Sequence, residues 1–419
     1  MVGVYLGVNA IPDARLIVDG PDCLFFKAEY VQGTHDLNSD LLDASGRHRV
    51  AHTVADTVNV ALDREPALAN LIRRLATTGD CGALLVSALP MAEITGSQYD
   101  RIARDLTVEI GVPIMDVPGR SLRGDWLDGY SEVLDSLARC LPLDKPSSLD
   151  QDAVALVGMM IDRTEADRMA DLHELMRMLH HGLGLDVRSV WPSNRPVSHL
   201  AAAASAGTVL SLPYGRKAAR RFASRTGARL VEVPVPFGPD ATADFLRAVA
   251  IATDRLERAE AFIAGEIDSV RSRIAESGVG PVLSGKGLAF VGDPHMAVQF
   301  PRLAAFLHAD VAAVGSTAHP SLPVAGCPGF DRFQRPEGID LCIATSRAVE
   351  ACLHYGIPFL ENGFPSYGTH ALHPTPTLGF NGAMALAQNI ANRISLMADL
   401  VDCGAYLEGF QTGHASGLE

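Results

Sequence analysis

The sequence has no CxxC pair, no apolar run long enough to cross a bilayer and no surplus of base. Its seven cysteines, Cys23, Cys81, Cys140, Cys327, Cys342, Cys352 and Cys403, are scattered over 419 residues. None has the spacing of a structural zinc site. The longest apolar runs are broken by Gly, Pro or charge well short of the roughly 18 residues of a membrane span, so a soluble chain without such a span is expected. The first residues lack the basic stretch, apolar core and small-residue cleavage site of a secretory signal. The expectation is therefore a cytoplasmic protein with reduced thiols. Lys and Arg number 35 against 49 Asp and Glu, a formal net charge of -14. That disfavours nucleic acid and anionic membranes, whose phosphates are bound through basic side chains. It is compatible with small-molecule substrates or a basic protein partner.

Catalytic signatures are missing as well. There is no GxSxG nucleophile elbow and no HExxH helix, which disfavours hydrolases of those types. The segment "GPVLSGKG", Gly280 to Gly287, approaches a P-loop but fails twice. Gly287 stands where a hydroxyl must bind magnesium, and the glycines precede a strand when they should follow one. A domain linker is the simpler reading.

What is present is alternation. Short β-branched or apolar runs are followed by longer amphipathic ones, the pattern of βαβ units around mostly parallel sheets. "CGALLVSALP" reads as a buried strand leading into a helix over "AEITGSQYDRIARDL", and "VPIMDVPG" as a strand closed by a Pro-Gly turn. The polar, turn-rich "LPLDKPSSLDQD" predicts a boundary near residue 150. A second unit opens at "AVALVGMMIDRTEADRMADLHELMRMLHHGLGLDVRSVWP" as strand, loop, amphipathic helix and strand, and a long charged connector helix is expected from about Thr242 to Ala275. A third unit begins at "GLAFVGDPHMAVQFPRLAAFL" and ends in the helix "GAMALAQNIANRISLMADLV". The expected fold class is α/β, in units 1–150, 151–275 and 276–419.

In open α/β sheets ligands bind beyond the carboxyl ends of parallel strands. Four loops follow expected strands and carry polar or Gly-Pro punctuation: "DGPDC", "SALPMAEITG", "GDPHM" and "GFPSYGTHALHPTPTLGFNG". They are candidates to line one cleft. In the first, Cys23 follows an Asp-Gly-Pro-Asp turn at the end of an apolar run, either as a small buried hydrophobe or as a metal or cluster ligand.

The stretch "DLCIATSRAVEACLHYGIPFLENGFPSYGTHALHPTPTLGFNGAMALAQNIANRI" resembles the last domain of the nitrogenase component 1 family. The shared order is a strand ending in a short Ser loop, a "GIP" strand, a "GFP" turn, a His-containing loop and a Gly-aromatic-x-Gly-Ala helix start. "VDGPDC" resembles that family's first cluster-ligand loop, "VSALPMAEITG" its third, and "GKGLAFVGDPHMAVQF" the strand opening its last domain. The resemblance implies three Rossmann-like domains around a central cleft, and two related chains forming a heterodimer that pairs again. It also implies an iron–sulfur cluster between the chains, and electrons from a separate ATP-hydrolysing iron protein, with ATP bound there and not on this chain.

Carried over residue by residue, the first ligand position is Cys23, with Asp22 as an alternative ligand or an ordinary turn cap. The second falls in "RVAHTVADTV", where His52 is the nearest counterpart, as a ligand or as an interface histidine. The third falls on Pro90, which has no donor. One thiolate cannot hold a cubane, which normally takes four ligands. The resemblance thus implies a 4Fe–4S cluster shared with an α-type partner that supplies most of the ligands, in a heterodimer or α2β2 heterotetramer. His295, His370 and His373 are candidate proton donors near neutral pH, against a role in loop hydrogen bonding. The implied function is a β-type subunit of a nitrogenase-like reductase acting on a small molecule of the tetrapyrrole or organosulfur class. The alternative is a non-catalytic scaffold on which a metal cofactor is assembled.

Overall fold

In the computed structural model the described residues are 1–21, 48–56, 63–119, 124–143, 148–160, 168–318, 329–330, 337–366, 368–369 and 373–413, with no side-chain description at 168 or beyond 397. The first elements are α1 (Val2–Asn9), β1 (Ala14–Asp19), β2 (Val50–His52), α2 (Glu65–Ala76), β3 (Ala83–Ala88), α3 (Pro90–Glu93), α4 (Tyr99–Ile110), β4 (Ile114–Asp116) and α5 (Trp126–Cys140). Then come β5 (Asp150–Val157), α6 (Arg168–Arg177), β6 (Asp186–Trp191), α7 (Val197–Ala201), β7 (Ala206–Ser211), α8 (Arg216–Thr226), β8 (Arg229–Glu232), α9 (Pro239–Thr253) and α10 (Leu256–Glu276). The remainder is α11 (Val279–Leu283), β9 (Gly287–Gly292), α12 (Pro294–Phe306), β10 (Asp310–Ser316), β11 (Leu341–Ala344), α13 (Ser346–Tyr355), β12 (Phe359–Glu361) and α14 (Gly379–Gly413).

These strands form three four-stranded sheets with the orders β2-β1-β3-β4, β6-β5-β7-β8 and β10-β9-β11-β12. Every pairing between them is parallel. The expected α/β class with parallel sheets is what the molecule adopts. The inner strands β1, β3, β7 and β9 are buried along their whole length, as strands covered on both faces must be.

Helix α1 is almost wholly buried, so it shows no amphipathic period, and it lies against α5. Its glycines make the contact possible. A Cβ on Gly3 would sit 1.7 Å from the Trp126 carbonyl oxygen, and one on Gly7 2.9 Å from the Val133 side chain. The buried Arg49 guanidinium gathers the carbonyls of Val8, Ile11 and Ala14 at 2.9 to 3.0 Å, closing the α1 end onto β1.

Two expected helices are each interrupted. The connector is α9 and α10, separated at Asp254, whose φ of 57° ends the first helix in the left-handed region. The helix expected over "AEITGSQYDRIARDL" is α3 followed by α4, with Gly96 at φ 79° between them. Helix α5 joins the first sheet to the second. Its Asp135 receives Arg221 of α8 at 2.8 Å and Lys217 at 3.0 Å, while Glu132 receives Lys217 at 2.9 Å. Helix α14 packs on α6, α9, α10 and α11 as well as on its own sheet. Among the described residues no helix is long and apolar enough to cross a membrane.

Candidate functional site

All three sheets share one topology, and so one kind of crevice. In each, the first strand is followed in sequence by a neighbour on one side, and the chain then crosses to the other side. The loops leaving the two central strands diverge there, which is where open parallel sheets bind ligands. The crevices lie between β1 and β3, β5 and β7, and β9 and β11.

At the β1/β3 crevice three adjacent strands end at or shortly before the positions that the sequence offers as candidate ligands. β1 ends at Asp19, four residues before Cys23. β2 ends at His52, and Pro90 opens α3 just after β3. Cys23 and Asp22 lie outside the described residues. His52 is half-buried, with Nε2 3.5 Å from the Tyr5 hydroxyl, so that nitrogen faces a phenol of the chain's own. Pro90 sits at the first turn of α3, and the Leu89 N–H before it donates to the Asp19 carbonyl at 2.9 Å. No group of three or more His, Cys, Asp or Glu side chains that could hold a metal ion occurs among the described residues. The described donor set does not make a cluster site by itself. Cys81, just before β3, is held as a thiol, its pKa pushed up to about 11 by burial.

What the described residues do at this crevice is fix the strand end. The Asp19 carboxylate, 1% exposed, accepts from Thr53 Oγ1 at 2.5 Å, from Tyr99 Oη at 2.7 Å and from Arg64. The Gly20 N–H donates to Thr53 Oγ1 at 3.2 Å. Residues just after β2, at the cap of α2 and at the start of α4 thus converge on the segment that leads into Gly20 and Pro21. Burial, with the Asp19 hydrogen bond, pushes the Tyr99 phenol pKa far upward, so it stays a donor. Val54 at φ 53° and Ile94 are exposed apolar residues next to this edge. The sequence reading missed this network, apart from the polar residue closing the buried run "ARLIVD".

The β5/β7 and β9/β11 crevices face one another. Tyr214, after β7, packs edge-on to His295, after β9, with ring centroids 5.2 Å apart. Asp293 caps α12 by accepting from the His295 and Met296 N–H groups at 2.8 and 3.1 Å, and its carboxyl also faces Tyr214. Burial raises the Asp293 pKa, and it lowers that of His295 in spite of the nearby carboxyl, with Arg216 adding to the fall. The pair favours an uncharged imidazole beside an acid that gives up its proton reluctantly. The loops after β5 and β7 touch at Gly158 and Gly215, where a Cβ on Gly215 would meet the Gly158 Cα at 2.6 Å.

His370 lies outside the described residues, and His373 is exposed on the segment leading into α14. That segment is tied down from α6. Asp171 accepts from the Thr377 and Leu378 N–H groups, both at 2.7 Å, and Glu174 accepts from Asn381 N at 3.2 Å and Nδ2 at 2.7 Å. Of the three histidines expected to carry protons, the structure brings His295, itself half-buried, into a polar cluster with buried members. Tyr214, Arg216, Asp293 and Asp171 join it there, and none of these four was singled out from sequence.

A family model described as nitrogenase component 1 type oxidoreductase matches residues 1–323 and 330–395. Among curated proteins, the chain is 25% identical over 385 residues to the nitrogenase iron-iron protein beta chain of Rhodobacter capsulatus, covering 81% of each. It is 27% identical over 207 residues to the light-independent protochlorophyllide reductase subunit N of Roseiflexus sp. (strain RS-1), covering 46% of this chain and 45% of that one. A solved structure titled nitrogenase Cp1 at pH 6.5 superposes with a TM-score of 0.78 at 15% identity, over 95% of this chain and 92% of that one.

Proposed function

Because the chain belongs to the nitrogenase component 1 type oxidoreductase family, we propose that it is the ligand-poor, β-type subunit of a nitrogenase-like two-component reductase. The observation that supports this reading is that three adjacent parallel strands, β2, β1 and β3, end at or shortly before His52, Cys23 and Pro90 in the sequence, and of these only Cys23 has a thiol. Cys23 supplies one ligand of a 4Fe–4S cluster whose other ligands come from an α-type partner, in a heterodimer or α2β2 heterotetramer. The exposed Val54 and Ile94 beside the same strand ends suit a surface covered by that partner. A cluster held there would supply single-electron chemistry, with a separate ATP-hydrolysing iron protein as the electron donor. ATP stays on that protein, in keeping with the broken P-loop match at Gly280–Gly287.

This chain's own residues hold the ligand loop in place through Asp19, Thr53, Arg64 and Tyr99. His295, uncharged near neutral pH, accepts a proton and passes it on at the crevice shared with Tyr214 and Asp293. His370 and His373 are further proton carriers on the loop before α14. The substrate is a small molecule of the tetrapyrrole or organosulfur class, and the similarity to a protochlorophyllide reductase subunit supports the first. The units 1–150, 151–275 and 276–419 are the three domains around its cleft. A single thiolate also suits a scaffold for metal-cofactor assembly, which would bind iron without turnover.

The test is co-purification with the genomically neighbouring component 1 subunit under anaerobic conditions, followed by iron and sulfide analysis. About four irons per αβ pair are expected, largely lost in Cys23→Ala while the complex still assembles. Full iron in that variant would refute the ligand assignment. Cluster-loaded complex that takes electrons from reduced iron protein and ATP, yet turns over no tetrapyrrole or organosulfur candidate, would favour the scaffold.

A further inference from the structure

Two thiols that the proposed function leaves unused face each other in the last unit. Cys342 lies on β11, a central strand of its sheet, in register with Ala289 of β9 and Phe359 of β12. Along β11 the side chains alternate. Leu341 and Ile343 enter the large core, whereas Cys342 and Ala344 point to the other face, toward α13. Helix α13 follows β11 directly and returns over that face, burying Ala348 and Cys352, which are one turn apart. Both cysteines are 0% exposed, in a small cluster otherwise made of Ala289, Val291, Ala313, Ala344, Ala348 and Ile357. Within it the two thiols interact directly.

We propose that Cys342 and Cys352 form a reversible dithiol–disulfide couple, oxidised by a small peroxide and restored by a thiol reductant, which ties α13 to β11. The pairing is electronically unequal. The interaction between the two sulfurs lowers the Cys352 pKa against the effect of burial, while that same interaction and burial push Cys342 well up. Cys352 is the sulfur carried on the short helix and Cys342 the one fixed on a central strand, so Cys352 attacks and Cys342 resolves, the division of labour found in dithiol chemistry. The Cys352 thiolate attacks one oxygen of hydrogen peroxide, the O–O bond breaks, and the departing hydroxide takes up a proton to leave as water. The resulting sulfenic acid is displaced by the Cys342 sulfur, forming the S–S bond and releasing a second water. Two thiols lose two electrons and two protons in all, and peroxide becomes two waters. Reduction by a dithiol returns the electrons and both protons. Peroxide is close to water in size, and α13 is only ten residues long with Leu353 exposed on its outer side, so local opening of this helix gives access.

The full chain is treated anaerobically with stoichiometric hydrogen peroxide, its free thiols are alkylated, and it is digested with trypsin without reductant. Arg347 is the one basic residue between the two cysteines in the sequence, so cleavage there separates them. The expected result is a Cys342 peptide and a Cys352 peptide that travel together until dithiothreitol parts them. Cys81 and Cys140, kept as thiols by burial, should stay alkylatable. Cys352→Ala should abolish the linkage and leave Cys342 alkylatable, and Cys342→Ala should leave Cys352 as a sulfenic acid that dimedone traps. Circular dichroism checks that each variant folds, with Cys→Ser replacing any that does not. The proposal is overturned if both thiols remain alkylatable after oxidation of the native protein, or if Cys342 links to another cysteine.

Discussion

Replacing Asp19 by alanine removes one carboxylate that three donors share. Arg64, 10% exposed along its side chain, would lose its counter-charge, and the Tyr99 and Thr53 hydroxyls would lose an acceptor. Deleting one partner of a buried ion pair typically costs about 3–5 kcal/mol, because the other charge is left without compensation. The three bonds end on one group, so their separate values do not add. We expect a total near that range. At about 1.4 kcal/mol per factor of ten, protection of the β1 and β3 amides from hydrogen exchange should fall roughly 10²- to 10⁴-fold. Peptides from β7 and β9, in the other two sheets, should be nearly unchanged. In the double variant Asp19→Ala/Arg64→Ala the unpaired cation is gone as well, so the loss should be smaller than the sum of the single losses by about 2 kcal/mol or more. A fall of less than about fivefold in Asp19→Ala would refute the view that this network holds the strand end. So would additive single and double variants.

Further outcomes follow from other parts of the structure. Gly215→Ala should lower the melting temperature markedly, since its Cβ would press on Gly158 at 2.6 Å; Gly265→Ala, in open space on α10, should stabilise by about 0.5–1 kcal/mol. Burial raises the Asp116 pKa to about 6, so between about pH 4 and pH 6 the folded state binds more protons than the unfolded one, and this group's contribution falls as pH rises. Asp116→Asn should therefore stabilise at pH 7 by about 1–2 kcal/mol, after allowance for solvent screening, and by almost nothing below pH 4, as urea titrations would show. Asp135 has the opposite sign. Burial opposes its ionisation, but Arg221 and Lys217 more than compensate and its pKa is lowered. Its stabilising effect is complete above the ordinary carboxylate pKa and is lost as pH falls through the depressed value; Asp135→Asn should remove that part of the acid sensitivity.

The sheets were legible because parallel strands covered on both faces must be apolar throughout, and runs such as "ALLVSA" have few other uses. Helix α1 was not legible, because a helix buried on every side has no periodicity to detect. The two helix breaks rest on single residues, Asp254 and Gly96, in left-handed conformations. A charged periodic stretch continues across such a residue with little sign of it. The strand-end loops could be picked out because each is a short punctuated motif after an apolar run. The cluster of Tyr214, Arg216, Asp293 and His295 could not, since it exists only where two sheets far apart in sequence turn their carboxyl edges toward each other. Asp171 was hidden for the same reason, as its partners Thr377 and Leu378 follow it by more than 200 residues.

Pro90 shows what the fold does and does not demand of a candidate ligand position. At the first turn of α3 no intrahelical bond requires its N–H, and the Leu89 amide before it already secures the chain to Asp19. Backbone geometry there would accept almost any residue, cysteine included. The absence of a side-chain donor at this position is therefore not imposed by the mechanics of the fold. A single substitution would place a thiol there without rebuilding the crevice, so the set of donors at these strand ends is one that the architecture leaves open to change.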